Sequence, residues 1–283
     1  MTFEKTLLLG TIAGLTIFLG LPIGRVGGLS DRARAFVSVL AGGILLFIFY
    51  DVMGRAHGEL ETSLAAAKAG GSWGALIARG GLVAVGLVAG SVGLAYLERW
   101  ILGHRTLAPV AGGAVDATFE AGIDVAALAR RARESALRLG MLIAIAIGLH
   151  NFSEGLAIGV SARAGEVGLA GTLIVGFALH NATEGFGIVG PLGGVRPSWR
   201  WLLIAGLAAG APTIAGTALG FQSDSPLLEL AFFALAGGAI LYVLGQIWTT
   251  TSARIPSRLV LWGIVLGFLA GLASDMVITY GGG

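Results

Sequence analysis

The sequence predicts an all-α membrane protein of eight transmembrane helices, and three observations carry that prediction. Mean hydropathy is +0.87, with 55% of residues hydrophobic and 12% charged, a balance outside the range of soluble domains. Eight stretches, at roughly 6–23, 36–53, 75–97, 139–160, 167–190, 201–221, 228–248 and 259–280, are apolar and long enough to cross about 30 Å of hydrocarbon as helices. Glycine reaches 48 of 283 residues, which suits helices that approach one another closely in lipid. The chain has no cysteine, so disulfides and thiolate metal sites are excluded. A net charge of +2 gives no ground for nucleic acid as a partner.

Taken in order, the first stretch reads as a retained span. Glu4 precedes it, no small-residue cleavage site follows, and "GLPIGR" has the look of a helix end at a membrane face. The second ends in "AGGILLFIFYD", placing Asp51 near its outer mouth, where "MGRAHGELE" adds His57, Glu59 and Glu61 as candidate cation-capturing groups on a hydrated loop. The third leads into the only long connection, 98–138. Its "VDATFEAGIDVAALARRARESALRLG" reads as an amphipathic helix running into the fourth span. Asp116, Glu120 and Asp124 share one face of it, and a solvated face is the simplest role for such carboxylates. The seventh span contains "AGGAILYVLGQ", which repeats the pattern of span two with Gln246 in the place of Asp51. Spans two and seven run in opposite directions, so this is the mark expected of an inverted-topology repeat. Glu229 and Asp275 lie near outer span ends, where snorkelling to water suffices.

Basic residues set the orientation. Arg25, Arg32 and Arg34, the group from Arg99 to Arg138, Arg196 and Arg200, and Arg254 and Arg258 all fall on one side. The opposite side keeps Lys5, Arg55, Lys68, Arg79 and Arg163. The richer side is expected to face the cytoplasm, which leaves both termini extracytoplasmic. The whole chain, 1–283, reads as a single transmembrane domain, expected in the cell (plasma or inner) membrane.

Spans four and five carry the chemistry. "LHNFSEG" at 149–155 returns as "LHNATEG" at 179–185. Within each copy His and Glu are four residues apart, which stacks them on one helical face, and Asn stands about 100° further round. A short turn near 165–167 makes the two helices antiparallel neighbours. His150 then lies level with Glu184, and His180 with Glu154, near mid-membrane. An ionised Glu costs roughly 2.5–3.5 kcal/mol at the centre of a span, and no Lys or Arg stands near that depth on these helices. Protonation or a bound cation relieves the cost. Imidazole with carboxylate suits Zn²⁺, and oxygen ligands also admit Fe²⁺ or Mn²⁺.

With eight spans, a long loop between spans three and four, and "HNFSEG" then "HNATEG" in spans four and five, the whole chain resembles the ZIP (Zrt-, Irt-like) family of divalent metal transporters. The resemblance implies a 3+2+3 arrangement, metal uptake toward the cytoplasm by an elevator-like sliding of one bundle against a scaffold, and a binuclear site with bridging Glu. By motif position His150, Glu154, His180 and Glu184 form the first metal site, and Asn151 and Asn181 face a second. Asp51 and Gln246 complete the expected metal-contacting set. The sequence departs from the family's pattern where Ser153 and Thr183 stand before the motif Glu in place of Pro, and where Ala211 in "GAPTIAG" replaces a further Glu. The second position thereby loses anionic ligands, and one strong ion is expected. Span seven has Gln246 where many relatives have an acid, and His104 is the loop's one histidine.

The cargo expected is a divalent ion, Zn²⁺ first and Fe²⁺, Mn²⁺ or Cd²⁺ next, with no organic cofactor. The other partners are membrane lipid and a second copy of the chain in a homodimer. Two further readings compete. An intramembrane metal-dependent hydrolase lacks its usual base, because Asn151 and Asn181 follow the histidines where a metalloprotease has Glu. A proton-conducting membrane protein would use the same His and Glu without metal.

Overall fold

A serine or threonine stands at the head of five apolar runs, and each starts a helix. In the computed structural model Thr2, Ser30, Ser72, Ser198 and Ser225 accept hydrogen bonds from the backbone amides of Lys5, Ala33, Ala75, Trp201 and Leu228, satisfying donors that the first helical turn leaves open. The structure describes residues 1–102, 125–164, 178, 180–223, 225–252 and 254–280. These form α1 (Phe3–Leu15), α2 (Ile17–Gly20), α3 (Asp31–Lys68), α4 (Trp73–Val88), α5 (Leu94–Leu102), α6 (Val125–Arg163), α7 (180–189), α8 (Trp199–Gln222), α9 (Pro226–Thr251) and α10 (Ser257–Tyr280).

Among the described residues there is no strand, and 7 helical stretches are long and apolar enough to cross a membrane. The chain is therefore an all-helical, multi-pass membrane protein. The fifth expected span, 167–190, falls partly outside the described residues, and α7 is its described part.

Several boundaries differ from the sequence reading for local reasons. The first span is not one helix: α1 stops at Thr16, whose hydroxyl bonds the Ala13 carbonyl at 2.6 Å, and a 3₁₀ stretch at Leu21–Arg25 ends the segment. Helix α3 runs 38 residues without a break, so "MGRAHGELE" is helical rather than a loop. It ends where Gly70 takes φ +97°, letting the amides of Gly70 and Gly71 turn back to the carbonyls of Ala67 and Ala66. The 98–138 connection is also shorter than expected, since 98–102 belongs to α5 and 125–138 to α6. Asp116, Glu120, Asp124 and His104 lie outside the described residues. One π turn, Ala89–Gly93, joins α4 to α5, where Gly90 lies against the backbone of Leu235 and Ala239.

Helix α6 is the centre of the molecule. Of its most apolar stretch 72% is buried, against 22% for the spans Trp73–Trp100 and Ser257–Met276. Its main neighbour is α8, which in turn packs on α1; α3 packs on α10 and α9, and α9 on α4. These two groups meet along α6 and α9, around a core that includes Ile143, Ile147, Ala239 and Ile240. Trp73, Trp100, Trp199 and Trp248 stand exposed near helix ends, where indole rings suit a membrane–water interface.

Candidate metal site

The four-residue spacing acts as the helical period requires. His150, Asn151 and Glu154 descend one side of α6, His180, Asn181 and Glu184 one side of α7, and all six are buried. His150 Nε2 lies 3.0 Å from Glu154 Oε1 and 3.7 Å from Glu184 Oε1. His180 Nε2 contacts the same Glu154 Oε1. Both level pairs read from the sequence, His150 with Glu184 and His180 with Glu154, are thus in contact range. The two imidazole rings stand 6.5 Å apart. Ligand atoms of His150, Glu154 and His180 all fall within 4.8 Å of one another.

This group has more acceptors than donors. Glu154 Oε2 and both carboxylate oxygens of Glu184 are buried without an aligned hydrogen-bond donor. Leaving such atoms unmatched in a membrane interior is costly. A cation bound among them would satisfy several at once, and imidazole with carboxylate is a borderline N/O set fitted to divalent transition metals.

The asparagines turn their amide nitrogens elsewhere. Asn151 Nδ2 donates to the Ala209 carbonyl on α8 at 3.1 Å, and Asn181 Nδ2 to the Ala13 carbonyl on α1 at 3.1 Å. Each pins a motif helix to its neighbour, while the two amide oxygens stay buried without a hydrogen bond. Close backbone contact continues along both seams. A methyl group on Gly155 would meet the Thr213 carbonyl and the Thr217 amide, and one on Gly185 the Ile17 carbonyl and the Leu21 amide. Ser153 and Thr183 hydrogen-bond back to the carbonyls of His150 and His180 at 2.6 and 2.7 Å. Hydroxyls that bond the preceding turn tend to bend a helix, so they occupy the proline positions with a gentler device. The proline of this region is Pro212 in α8, which removes one amide from the ladder beside Asn151.

Of the remaining sequence-selected residues, Asp51 shares a cleft with this cluster and Gln246 lies apart from it. Asp51 lines a cleft of about 50 Å³ together with His150, Glu154, His180, Arg55 and Asp275, and it is ion-paired to Arg55 at 3.2 Å. Gln246 belongs to a separate polar group: its amide donates to Glu98 at 2.6 Å, and Tyr242 donates to the same carboxylate at 3.2 Å. His57 faces Glu61 at 3.9 Å on an exposed face of α3. Sequence reasoning passed over Glu98 and gave Asp275 no role. The signal available for Glu98 was a single acid at the end of an otherwise apolar helix, in "AYLERW".

Comparison with known proteins agrees with this geometry. A sequence profile described as "ZIP Zinc transporter" matches residues 124–244, which include both motif copies. A curated protein from Corynebacterium glutamicum, named Zinc transporter ZupT, is 31% identical over 272 residues, covering 90% of this chain and 94% of that protein. Identity at that level along nearly the full length of both chains, with the doubled His/Glu motif inside the matched region, establishes that this chain belongs to the ZIP family of divalent metal transporters.

Proposed function

We propose that the chain carries divalent transition metal ions, Zn²⁺ first and Fe²⁺, Mn²⁺ or Cd²⁺ next, into the cytoplasm, and that His150, Glu154, His180 and Glu184 are the groups the ion meets midway. The observation that carries this reading is the buried convergence of two imidazoles and two carboxylates from adjacent helices. The name of the C. glutamicum relative supports zinc as the first candidate. Membership of a transporter family sets aside the hydrolase reading. The amide oxygens of Asn151 and Asn181 are the uncharged remainder of a second position, and Ala211 adds no ligand to it; one tightly held ion is the expectation. Asp51 belongs to the approach, and Gln246 to the opposite end of the path.

An inverted repeat fits the seams described above. Ala13, Ile17, Gly20 and Leu21 meet Asn181, Gly185 and Ala182, while Ala209, Thr213, Gly216 and Thr217 meet Asn151, Gly155 and Phe152, at one constant register. Farther out, Gly43 lies against Ile264 and Gly267, and Gly238 against Leu87 and Gly90. Such matching favours a 3+2+3 arrangement, with α1, α6, α7 and α8 moving as one body against α3, α4, α9 and α10. With arginines concentrated at one face, the termini lie outside the cell membrane's cytoplasmic side. Lipid covers the outward apolar surface, and a homodimer is the oligomer to look for.

The test is flux. Proteoliposomes holding the full chain take up Zn²⁺, and Glu154→Ala and Glu184→Ala abolish that uptake while still eluting as folded protein. Undiminished uptake in both variants ends the proposal.

A further inference from the structure

One positive charge stands on the wall of a cleft built for cations. The rim above the His/Glu cluster is lined by Asp51 and Arg55 of α3 and by Asp275 of α10. Arg55 Nε bonds Asp51 Oδ2 at 3.2 Å, and the two side chains are 46% and 37% exposed, so water reaches both. Without the arginine, the charged side chains of this rim would be the carboxylates of Asp51 and Asp275.

Two carboxylates with water form an all-oxygen site, and hard cations such as Ca²⁺ and Mg²⁺ take oxygen ligands readily. Selection in favour of a transition metal begins deeper, where His150 and His180 supply nitrogen. A mouth that collected hard divalent ions would be blocked before that choice is made. We propose that Arg55 is a specificity-determining residue of the mouth: its guanidinium occupies Asp51 as a tethered competitor and keeps Ca²⁺ and Mg²⁺ from accumulating on the acidic rim. The inference rests on the reading that metal passes through this cleft. An exposed ion pair of this kind is held weakly, so a dication on its way to the imidazoles displaces it and the pair re-forms behind it. A unit charge several ångströms from a dication in a water-filled mouth changes its occupancy by about two- to fivefold at low ionic strength, and by less as salt screens it.

The test compares Arg55→Gln with Arg55→Lys in proteoliposomes of the full chain, measuring Zn²⁺ uptake against added Ca²⁺ or Mg²⁺. In Arg55→Gln the half-inhibitory Ca²⁺ concentration is expected to fall about two- to fivefold, with the difference shrinking as NaCl is raised. Arg55→Lys retains the charge and the wild-type value. In an Asp51→Asn background, removing Arg55 shifts Ca²⁺ inhibition less than it does when Asp51 is charged. Unchanged Ca²⁺ inhibition in Arg55→Gln overturns the proposal, as does Arg55→Lys behaving like Arg55→Gln. The same comparison made by Ca²⁺ binding to detergent-purified protein needs no flux. Absence of Zn²⁺ uptake in the wild type therefore strikes the transport reading alone.

Discussion

The two copies of the motif are nearly the same peptide, yet their carboxylates are unequally placed. In "LHNFSEG" the carboxylate of Glu154 is approached by both imidazoles, at 3.0 Å from His150 and in close contact from His180. In "LHNATEG" the carboxylate of Glu184 is 3.7 Å from His150 and has no aligned donor on either oxygen. Around them the seams match: each Asn donates to one carbonyl, each motif Gly meets one backbone, and each hydroxyl bonds the preceding turn. Symmetry thus holds in the packing and fails in the distances between imidazole and carboxylate. Repeated sequence builds a symmetric frame, and the chemistry sits where the frame's two halves cannot both claim one position. On the proposed assignment Glu154 is the carboxylate shared by both imidazoles, and Glu184 is the one left to meet an arriving ion.

Four pairs of substitutions test this asymmetry. The largest effect is expected at the carboxylates. Glu154→Ala should weaken Zn²⁺ binding by about 100-fold or more, because on the proposed assignment it removes a direct metal ligand, and outer-shell losses alone cost about 10–100-fold. Glu184→Ala should weaken it less, and calorimetric titration gives the ratio. Equal losses would mean that the ligand asymmetry vanishes once metal binds.

Next come the seams. Gly155→Ala and Gly185→Ala each drive a methyl group toward backbone atoms of a neighbouring helix, and overpacking of this kind costs about 1–3 kcal/mol. Thermal unfolding in detergent should fall by similar amounts for the two. A large drop for one alone would contradict matched seams.

Asn151→Ala and Asn181→Ala each remove one interhelical hydrogen bond, worth about 0.6 kcal/mol on average within membranes. Both should lower stability slightly and leave the Zn²⁺ stoichiometry at one. A halved stoichiometry would instead assign the asparagine oxygens to a second ion that the wild type binds. The smallest effect is expected for Ser153→Ala and Thr183→Ala, within about 0.5 kcal/mol, since their hydroxyls only back-bond within their own helices.

Much of this was legible in the chain because helices in lipid obey a strict period. Hydropathy located seven of the expected spans, and the four-residue spacing, with an antiparallel turn expected between the motifs, gave the levels of His150, Glu154, His180 and Glu184. Other parts were hidden for stated reasons. Whether Asn151 faces an ion or a carbonyl depends on which neighbour covers its side of α6, and the neighbour is Ala209, far along the chain. Asp275 gains a place in the cleft only because α10 packs beside Asp51 on α3. Gln246 looked like a partner of the metal by analogy with Asp51, but Glu98 comes within 2.6 Å of it. The break at Thr16 and the unbroken run of α3 through Asp51 to Lys68 follow from local hydrogen bonding and from where a turn glycine stands, which apolar composition does not encode.

X-ray absorption at the zinc edge, on purified protein given one equivalent of Zn²⁺, tests the claim that imidazoles and carboxylates sunk in the bilayer are there for a dication. The expected result is a nitrogen/oxygen shell with Zn–N near about 2.0–2.1 Å and two imidazoles' worth of outer scattering, which disappears in the His150→Ala, His180→Ala double variant. An imidazole-free shell in the wild type, or one that the double variant leaves intact, would contradict it.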